Sequence, residues 1–319
     1  MQLVGGERPR ILSVAQWGVL ALISAALVTH AWYTDWVVPA GLLTLAGVIW
    51  ASELREGVRR WWFVYVAGIA LFSALRAVAD DTGFSMHAAY AATADRVLFG
   101  GTDPVIWLQS RAFAQGSMSG IGWLATQTHW SFFIMPHVVA AIVYVKRPQL
   151  FARYTLLQLV VLYGGLICFF LLPTTPPWLA ADYGTLAAAE RVLDVVGGTI
   201  DLQVYDAMYQ ALGEPNVVAA MPSLHMAVTF AVTLWVWRHA RGFGWLFAVY
   251  SAWMAVSLVL LAEHFVVDLL AGVALAIAAD TLVERVATRR RYAGSEPKAA
   301  PLTEPDRARA ELPLGAGKR

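Results

Sequence analysis

Two residues near the end of the chain have the types and spacing of a nucleophile and the group that orients it. His264 and Asp268 are four residues apart, so on a helix they share one face. A carboxylate in that position can accept a hydrogen bond from one ring nitrogen of the histidine. The other ring nitrogen then keeps its lone pair in a fixed orientation and can act as a nucleophile.

A second histidine follows a helix-start signal. Pro222 and then Ser223, a residue type that caps helix N-termini, predict that His225 lies in the first turn of a helix. Free backbone N–H groups and the positive end of the helix dipole meet there, which favours a bound phosphate. The imidazole of His225 can donate a proton to a leaving oxygen. Together with His264 and Asp268, it predicts a phosphate-transfer site.

The remaining histidines do not form such a pattern. We interpret them as interfacial or packed side chains, and they are His30, His87, His129, His137 and His239. No cluster of histidines and cysteines has the spacing of a zinc site. The single cysteine, Cys168, excludes an internal disulfide and lies in an apolar run, where a small buried residue is expected.

The composition indicates which elements hold these residues. The chain has 319 residues, of which 59% are hydrophobic and only 14% are charged. Because a soluble domain carries about 25% charged residues, the chain is predicted to be a membrane protein. Its net charge of +1 gives no indication of a nucleic-acid partner.

Eight segments are apolar for long enough to cross a bilayer as helices, which takes about 20 residues. We therefore expect an all-α, polytopic membrane helical bundle. The predicted spans are 11–31, 36–52, 61–79, 128–145, 152–172, 222–238, 244–262 and 265–284.

The distribution of basic residues predicts the orientation of this bundle. Arginine and lysine collect in the loops that face the cytoplasm. Eight spans with a cytoplasmic N-terminus place the basic residues of 55–60, 146–153, 238–241 and 285–291 on that side. We expect a multi-pass protein of the plasma (inner) membrane with both termini in the cytoplasm. The starts of the segments with His225 and His264 then face the extracytoplasmic side.

Two extracytoplasmic connections are long, and a tail follows the last span. The first connection, 80–127, contains a stretch at 87–99 with the spacing of an amphipathic interfacial helix. The second, 173–221, begins with three prolines that make it stiff. Its candidate substrate-binding residues are Pro173, Thr174, Thr175, Pro177 and Trp178. Residues 285–319 are predicted to form a disordered cytoplasmic tail.

These residues carry a family resemblance. The sequence MPSLH at 221–225, followed by His264-x-x-x-Asp268, resembles the second and third motifs of the type 2 phosphatidic acid phosphatase superfamily. The segment 173–178 resembles the branch that includes inositol-phosphorylceramide synthases, as does the stretch 94–100 with 107–109. The resemblance covers about residues 60 to 284. It implies a six-helix core at 61–284 preceded by two additional helices within 1–60.

The resemblance also implies roles. His264 would form a phosphohistidine, Asp268 would orient it and His225 would protonate the leaving group, without a metal or a cofactor. The superfamily has an arginine six residues before the nucleophile, where this chain has Leu258, and it has basic residues in its first motif, where 173–178 has none. Other groups must therefore compensate the phosphate charge. The candidates are the helix start at Ser223, His225 itself, Arg76, Arg111 and Arg191.

The expected function is a lipid phosphotransferase or phosphatase. The donor would be a phospholipid or a lipid-linked phosphate, and the acceptor a lipid alcohol, a sugar alcohol or water. Transfer of inositol phosphate from phosphatidylinositol is one form of this reaction. Two alternatives stay open: a transporter or flippase for a lipid-linked substrate, since His and Asp in membranes also relay protons, and a non-catalytic relative that binds lipids.

Overall fold

The computed structural model describes residues 56–76, 79, 87, 89–113, 120–187, 189–197 and 219–295. Within these ranges the chain is helical, apart from turns and isolated β-bridges. The helices are α1 (Glu56–Arg76), α2 (Ala89–Leu98), α3 (Pro104–Ala112), α4 (Gly120–Ser131), α5 (Met135–Lys146), α6 (Pro148–Leu171), α7 (Pro177–Asp182), α8 (Val192–Gly197), α9 (Leu224–His239), α10 (Arg241–Leu260) and α11 (Val266–Ser295).

Several of these helices are suited to a bilayer. Three are long and apolar enough to cross a membrane, namely α6, α10 and the Val266–Arg289 part of α11, and a fourth span results if α4 and α5 form one broken span. The prediction of a helical membrane protein is thus confirmed, but the count of eight spans is not. The predicted spans 11–31 and 36–52 lie outside the described residues.

The predicted span 128–145 is not a single continuous helix. Two helices, α4 and α5, cover this region and meet at an angle of 46°. Pro136 lies in the first turn of α5. Because proline has no N–H to donate and its ring clashes with the preceding turn, a helix cannot continue unbroken through it.

The core is built around α9, which packs against α6, α10 and α11. Two ion pairs show how these helices run relative to one another. Arg238 near the C-terminus of α9 pairs with Asp280 of α11, and Arg153 near the N-terminus of α6 pairs with Glu284 of α11. The two helices α9 and α11 therefore run in the same direction, away from His225 and His264. Helix α6 runs the opposite way, so its C-terminus leads toward the histidines.

Helix α11 is longer than predicted. It continues through Ser295, so residues 285–295 are helical and the predicted disordered tail does not begin at 285. The residues that follow Glu284 include alanine and several arginines, which are good helix formers and let an established helix propagate. Residues 296–319 lie outside the described residues.

The first long connection contains the expected short helix. Within the predicted stretch 87–99, α2 spans Ala89–Leu98. Ala91 and Ala92 are buried, whereas Val97 and Leu98 are exposed. The helix therefore has one packed face and one apolar outer face, the pattern of a helix in a membrane interface.

Candidate active site

His225 and His264 lie next to each other at one end of the bundle. His225 is in the first turn of α9, and His264 comes two residues before the start of α11. The Nδ1 atom of His225 and the Nε2 atom of His264 are 3.2 Å apart, within hydrogen-bond distance. Helix α9 begins as predicted, because the Ser223 hydroxyl oxygen accepts a hydrogen bond from the Met226 N–H at 3.3 Å.

Asp268 lies behind His264, on the side away from His225. Its Oδ2 atom is 3.6 Å from His264 Nδ1, which is longer than a hydrogen bond. The same oxygen accepts a hydrogen bond from the Phe265 N–H at 2.9 Å, as an acidic residue in a capping box does. Asp268 is fully buried. Its carboxylate is thus fixed by the backbone of the helix start and faces the ring nitrogen that the sequence analysis assigns to it.

The starts of α9 and α11 are joined by a backbone contact. The Ser223 N–H donates a hydrogen bond to the backbone oxygen of Asp268 at 3.0 Å. Gly272, one turn further along α11, makes this approach possible. A Cβ atom at Gly272 would lie 2.5 Å from the backbone oxygen of Ser223. Any side chain there would separate the two helix starts that carry the histidines.

Helix α4 supplies a third histidine, His129, which the sequence analysis interpreted only as an interfacial or packed side chain. The ring of His225 lies between those of His129 and Phe132, with centroid distances of 4.6 and 4.4 Å. His129 is buried. It is indeed packed, but against the candidate acid–base residue, and so it helps to fix the orientation of the His225 ring. Because His129 lies far from His225 in the sequence, no local pattern indicates this contact.

Asp95 in α2 holds the start of α11. Its two carboxylate oxygens accept hydrogen bonds from the Val266 and Val267 N–H groups, both at 2.9 Å. These are orphan donors of the first turn, and a negative charge beside them is favourable. Burial raises the pKa of Asp95, and these two hydrogen bonds oppose that change. The sequence analysis did not identify this role; the only signal was the family resemblance of 94–100.

A cavity of about 120 Å³ opens beside the two histidines. A water molecule needs only about 15 Å³ of such space, so the cavity has room for a larger group. Among the described residues it is lined by Phe72, Arg76, Phe132, Leu162, Phe169, Pro176, Trp178, Arg191, Ala219, Ala220, Leu224, His225, Glu263 and His264. Apolar side chains thus form much of the wall, and the charged residues among those described are Arg76, Arg191 and Glu263.

One cation in this wall is held by several contacts. The guanidinium of Arg191 lies 4.4 Å from the ring centroid of Trp178, and its Nε is 3.3 Å from a carboxylate oxygen of Glu263. Gln109 holds the backbone near each member of this pair. Its amide nitrogen donates hydrogen bonds to the backbone oxygen of Glu190, which precedes Arg191, and to that of Leu260, which lies shortly before Glu263. Burial raises the pKa of Glu263, whereas the charge of Arg191 opposes that change.

The other predicted binding residues lie in different places. Trp178 and Arg76 line the cavity, and Ser223 caps the helix beside it. Thr174 and Thr175 are fully buried, and the Thr174 hydroxyl is 3.0 Å from the Tyr90 hydroxyl. Six predicted binding residues are not among the lining residues in the described part of the chain, namely Pro173, Thr174, Thr175, Pro177, Ser223 and Arg111.

Arg111, another predicted phosphate-binding residue, packs against a tryptophan. Arg111 lies over the Trp107 ring at 4.4 Å and is likewise absent from the described cavity lining. In the described ranges, no group of three or more His, Cys, Asp or Glu side chains is placed to hold a metal ion.

Comparisons with known proteins agree with this arrangement. Residues 101–282 match the PAP2 superfamily. A phosphoinositol dihydroceramide synthase of Bacteroides thetaiotaomicron is 28% identical over 145 residues, which cover 41% of this chain and 45% of that protein. The chain thus spans less than half the length of this relative. No solved structure matches the chain. Because the family match covers more than half of the sequence and includes His225, His264 and Asp268, the chain belongs to the PAP2 superfamily.

Proposed function

We propose that this protein transfers a phosphate or a phosphorylated headgroup from a lipid or lipid-linked donor to an alcohol or to water. The observation that supports this most directly is the contact between His225 Nδ1 and His264 Nε2, at 3.2 Å, in the wall of a cavity. A nucleophile and a proton donor that act on the same phosphorus atom must lie near each other in one site. The membership in the PAP2 superfamily supports the same reaction class.

The reaction would proceed in two steps. In the first, the lone pair of His264 Nε2 forms a bond to phosphorus, the bond from phosphorus to the leaving oxygen breaks, and His225 gives its proton to that oxygen. In the second, His225 takes a proton from the acceptor hydroxyl, whose oxygen bonds to phosphorus. The bond from phosphorus to His264 then breaks, and its electron pair returns to the ring. Asp268 would stabilise the positive charge that develops on His264.

The closeness of the two rings has a consequence for binding. Reacting atoms approach to about 3 to 3.5 Å before a bond forms. A phosphorus atom in line with His264 Nε2 would occupy the space of the present hydrogen bond to His225. Substrate binding must therefore part the two rings and replace this hydrogen bond with one from His225 to the leaving oxygen.

The cavity wall supports a lipid as the donor. Six of its described side chains are large and apolar, namely Phe72, Phe132, Leu162, Phe169, Trp178 and Leu224. Such a wall would bury the part of a lipid nearest the headgroup, while Arg76 and Arg191 would stabilise the phosphate charge. The name of the Bacteroides relative supports phosphoinositol as the transferred group and a lipid alcohol as the acceptor.

We further propose that the site faces the extracytoplasmic side. Arg153 and Arg238 lie at the end of the bundle opposite the histidines, where they form ion pairs. Basic residues at the cytoplasmic ends of spans follow the positive-inside rule.

The test uses the full chain, purified in detergent with EDTA, and compares wild type with His264→Ala. Phosphatidylinositol, phosphatidic acid and a polyprenyl phosphate serve as donors, with products followed by mass spectrometry. We expect EDTA-resistant turnover of at least one donor, and its loss in His264→Ala by several orders of magnitude. His239→Ala is the matched control, because His239 lies at the far end of α9. It should retain turnover.

The products decide the reaction. Free phosphate would mark a phosphatase, and a new phosphodiester formed with an added lipid alcohol would mark a transferase. A phosphorylated protein trapped by rapid quenching should be labile in acid and stable in base. Turnover that survives His264→Ala would contradict the proposal.

A further inference from the structure

One charged side chain in the cavity has no role in the mechanism above. Glu263 comes directly before His264 and lines the same cavity. Its side chain is 15% exposed, and one of its oxygens is 3.3 Å from Arg191 Nε. A carboxylate beside a phosphate-transfer site would repel the substrate, so its presence there requires an explanation.

The charges of the cavity wall suit one kind of phosphate. Of the lining side chains in the described part of the chain, Arg76 and Arg191 are positive and Glu263 is negative. Glu263 thus lowers the positive charge of the described part of the wall by one unit. A phosphodiester carries one negative charge, whereas a phosphomonoester carries about −1.5 to −2 at neutral pH. The Glu263 carboxylate therefore repels a monoester more strongly than a diester, because the repulsion grows with the charge of the substrate.

The pair with Arg191 holds the carboxylate in place. The guanidinium is fixed against the Trp178 ring at 4.4 Å and also contacts Asp194 at 3.3 Å. The backbone beside Arg191 is held in turn by Gln109, which also binds the end of α10 just before Glu263. These contacts hold Arg191 in place, and its ion pair with Glu263 keeps that carboxylate in the cavity wall.

We propose that Glu263, held by Arg191, is a specificity-determining residue that makes this cavity favour monoanionic phosphodiester donors over dianionic phosphomonoesters. This inference rests on the proposed function, because it concerns the same site. It predicts that the enzyme acts mainly as a headgroup transferase and only weakly on phosphatidic acid. It also predicts that neutralising Glu263 relaxes this discrimination.

The experiment measures kcat/KM for phosphatidylinositol and phosphatidic acid with the same acyl chains, in wild type and Glu263→Gln. Glutamine keeps the length of the side chain and an oxygen that can accept from Arg191, so the fold should be retained. One added unit charge at about 6 to 8 Å, with an effective dielectric constant of about 20, corresponds to a change of roughly thirtyfold to a hundredfold. We expect kcat/KM for phosphatidic acid to rise by about that factor in Glu263→Gln, and kcat/KM for phosphatidylinositol to change less.

Two matched variants separate the cavity charge from other effects. Glu190→Gln removes the same charge from an exposed residue outside the lining, and Asp194→Asn removes the other carboxylate beside Arg191. Both should keep the wild-type ratio of the two kcat/KM values. The inference is wrong if wild type prefers phosphatidic acid, if Glu263→Gln keeps the wild-type ratio, or if Asp194→Asn changes the ratio as much.

A binding measurement keeps the inference testable apart from turnover. Calorimetry measures the affinity for glycerophosphoinositol, a diester, and for glycerol 3-phosphate, a monoester. These ligands carry the same phosphate charges as the two lipids. Wild type should bind the diester more tightly, and Glu263→Gln should gain affinity for the monoester. Equal gains for both ligands would overturn the role of Glu263. Absence of turnover in wild type, by contrast, would contradict the proposed function and leave this measurement to decide the charge preference.

Discussion

Replacing Asp95 by asparagine tests whether the start of α11 fixes the nucleophile. The Asp95 carboxylate accepts one hydrogen bond from each of Val266 and Val267, both at 2.9 Å. Asparagine keeps only one acceptor oxygen and places an NH₂ group against the other backbone N–H. The variant therefore loses one hydrogen bond, leaves one donor without a partner and removes the negative charge beside the helix start.

The size of the effect follows from these contacts. A hydrogen bond to a charged group contributes about 1.5 to 3 kcal/mol. The favourable charge at a helix N-terminus adds about 0.3 to 1 kcal/mol, and more where it is buried. We expect the free energy of unfolding to fall by about 2 to 4 kcal/mol. Because His264 comes two residues before Val266, a shift of this turn by about 1 Å would lower kcat by roughly a hundredfold.

The assay combines thermal unfolding in detergent with kcat and KM for the best donor. Asp103→Asn is the control, because Asp103 is also acidic and hydrogen-bonded but pairs with a partly exposed arginine, Arg96. A pair of that kind contributes about 0 to 1 kcal/mol. Asp95→Asn should lower kcat much more than it raises KM, since the donor does not contact Asp95 directly. Wild-type stability and kcat in Asp95→Asn would refute the reasoning.

Two further predictions concern the packing of the helices. Gly272→Val should lower kcat more than tenfold, because a side chain there meets the backbone oxygen of Ser223. Gly242→Ala should keep wild-type kcat, because a Cβ atom added at Gly242 has no atom of another described part of the chain within 4 Å. Arg238→Gln should lower the free energy of unfolding by about 1 to 3 kcal/mol, since it leaves the largely buried Asp280 unpaired. Thermal unfolding and kcat check both, and Arg238→Gln should leave kcat nearly unchanged. A lower kcat in Arg238→Gln without a loss of stability would contradict the prediction for that variant.

The sequence by itself determined the local features of this protein. Long apolar runs predict membrane helices, because only a helix satisfies every backbone group inside a bilayer. The Pro–Ser signal predicts the start of α9, and Ser223 caps it in the structure. The same local patterns identified His225, His264 and Asp268 as candidates. Each of these inferences depends only on residues within a few positions of one another.

Only the tertiary structure decided which distant residues meet at the site. Asp95 reaches α11 across 171 residues of chain, and Arg191 reaches Glu263 across 72. The sequence offered Arg76, Arg111 and Arg191 as equal candidates for the phosphate, but only packing places Arg76 and Arg191 in the described cavity wall. Contacts of this kind depend on how helices cross and which faces they bury, and no local pattern in a single sequence specifies those geometries.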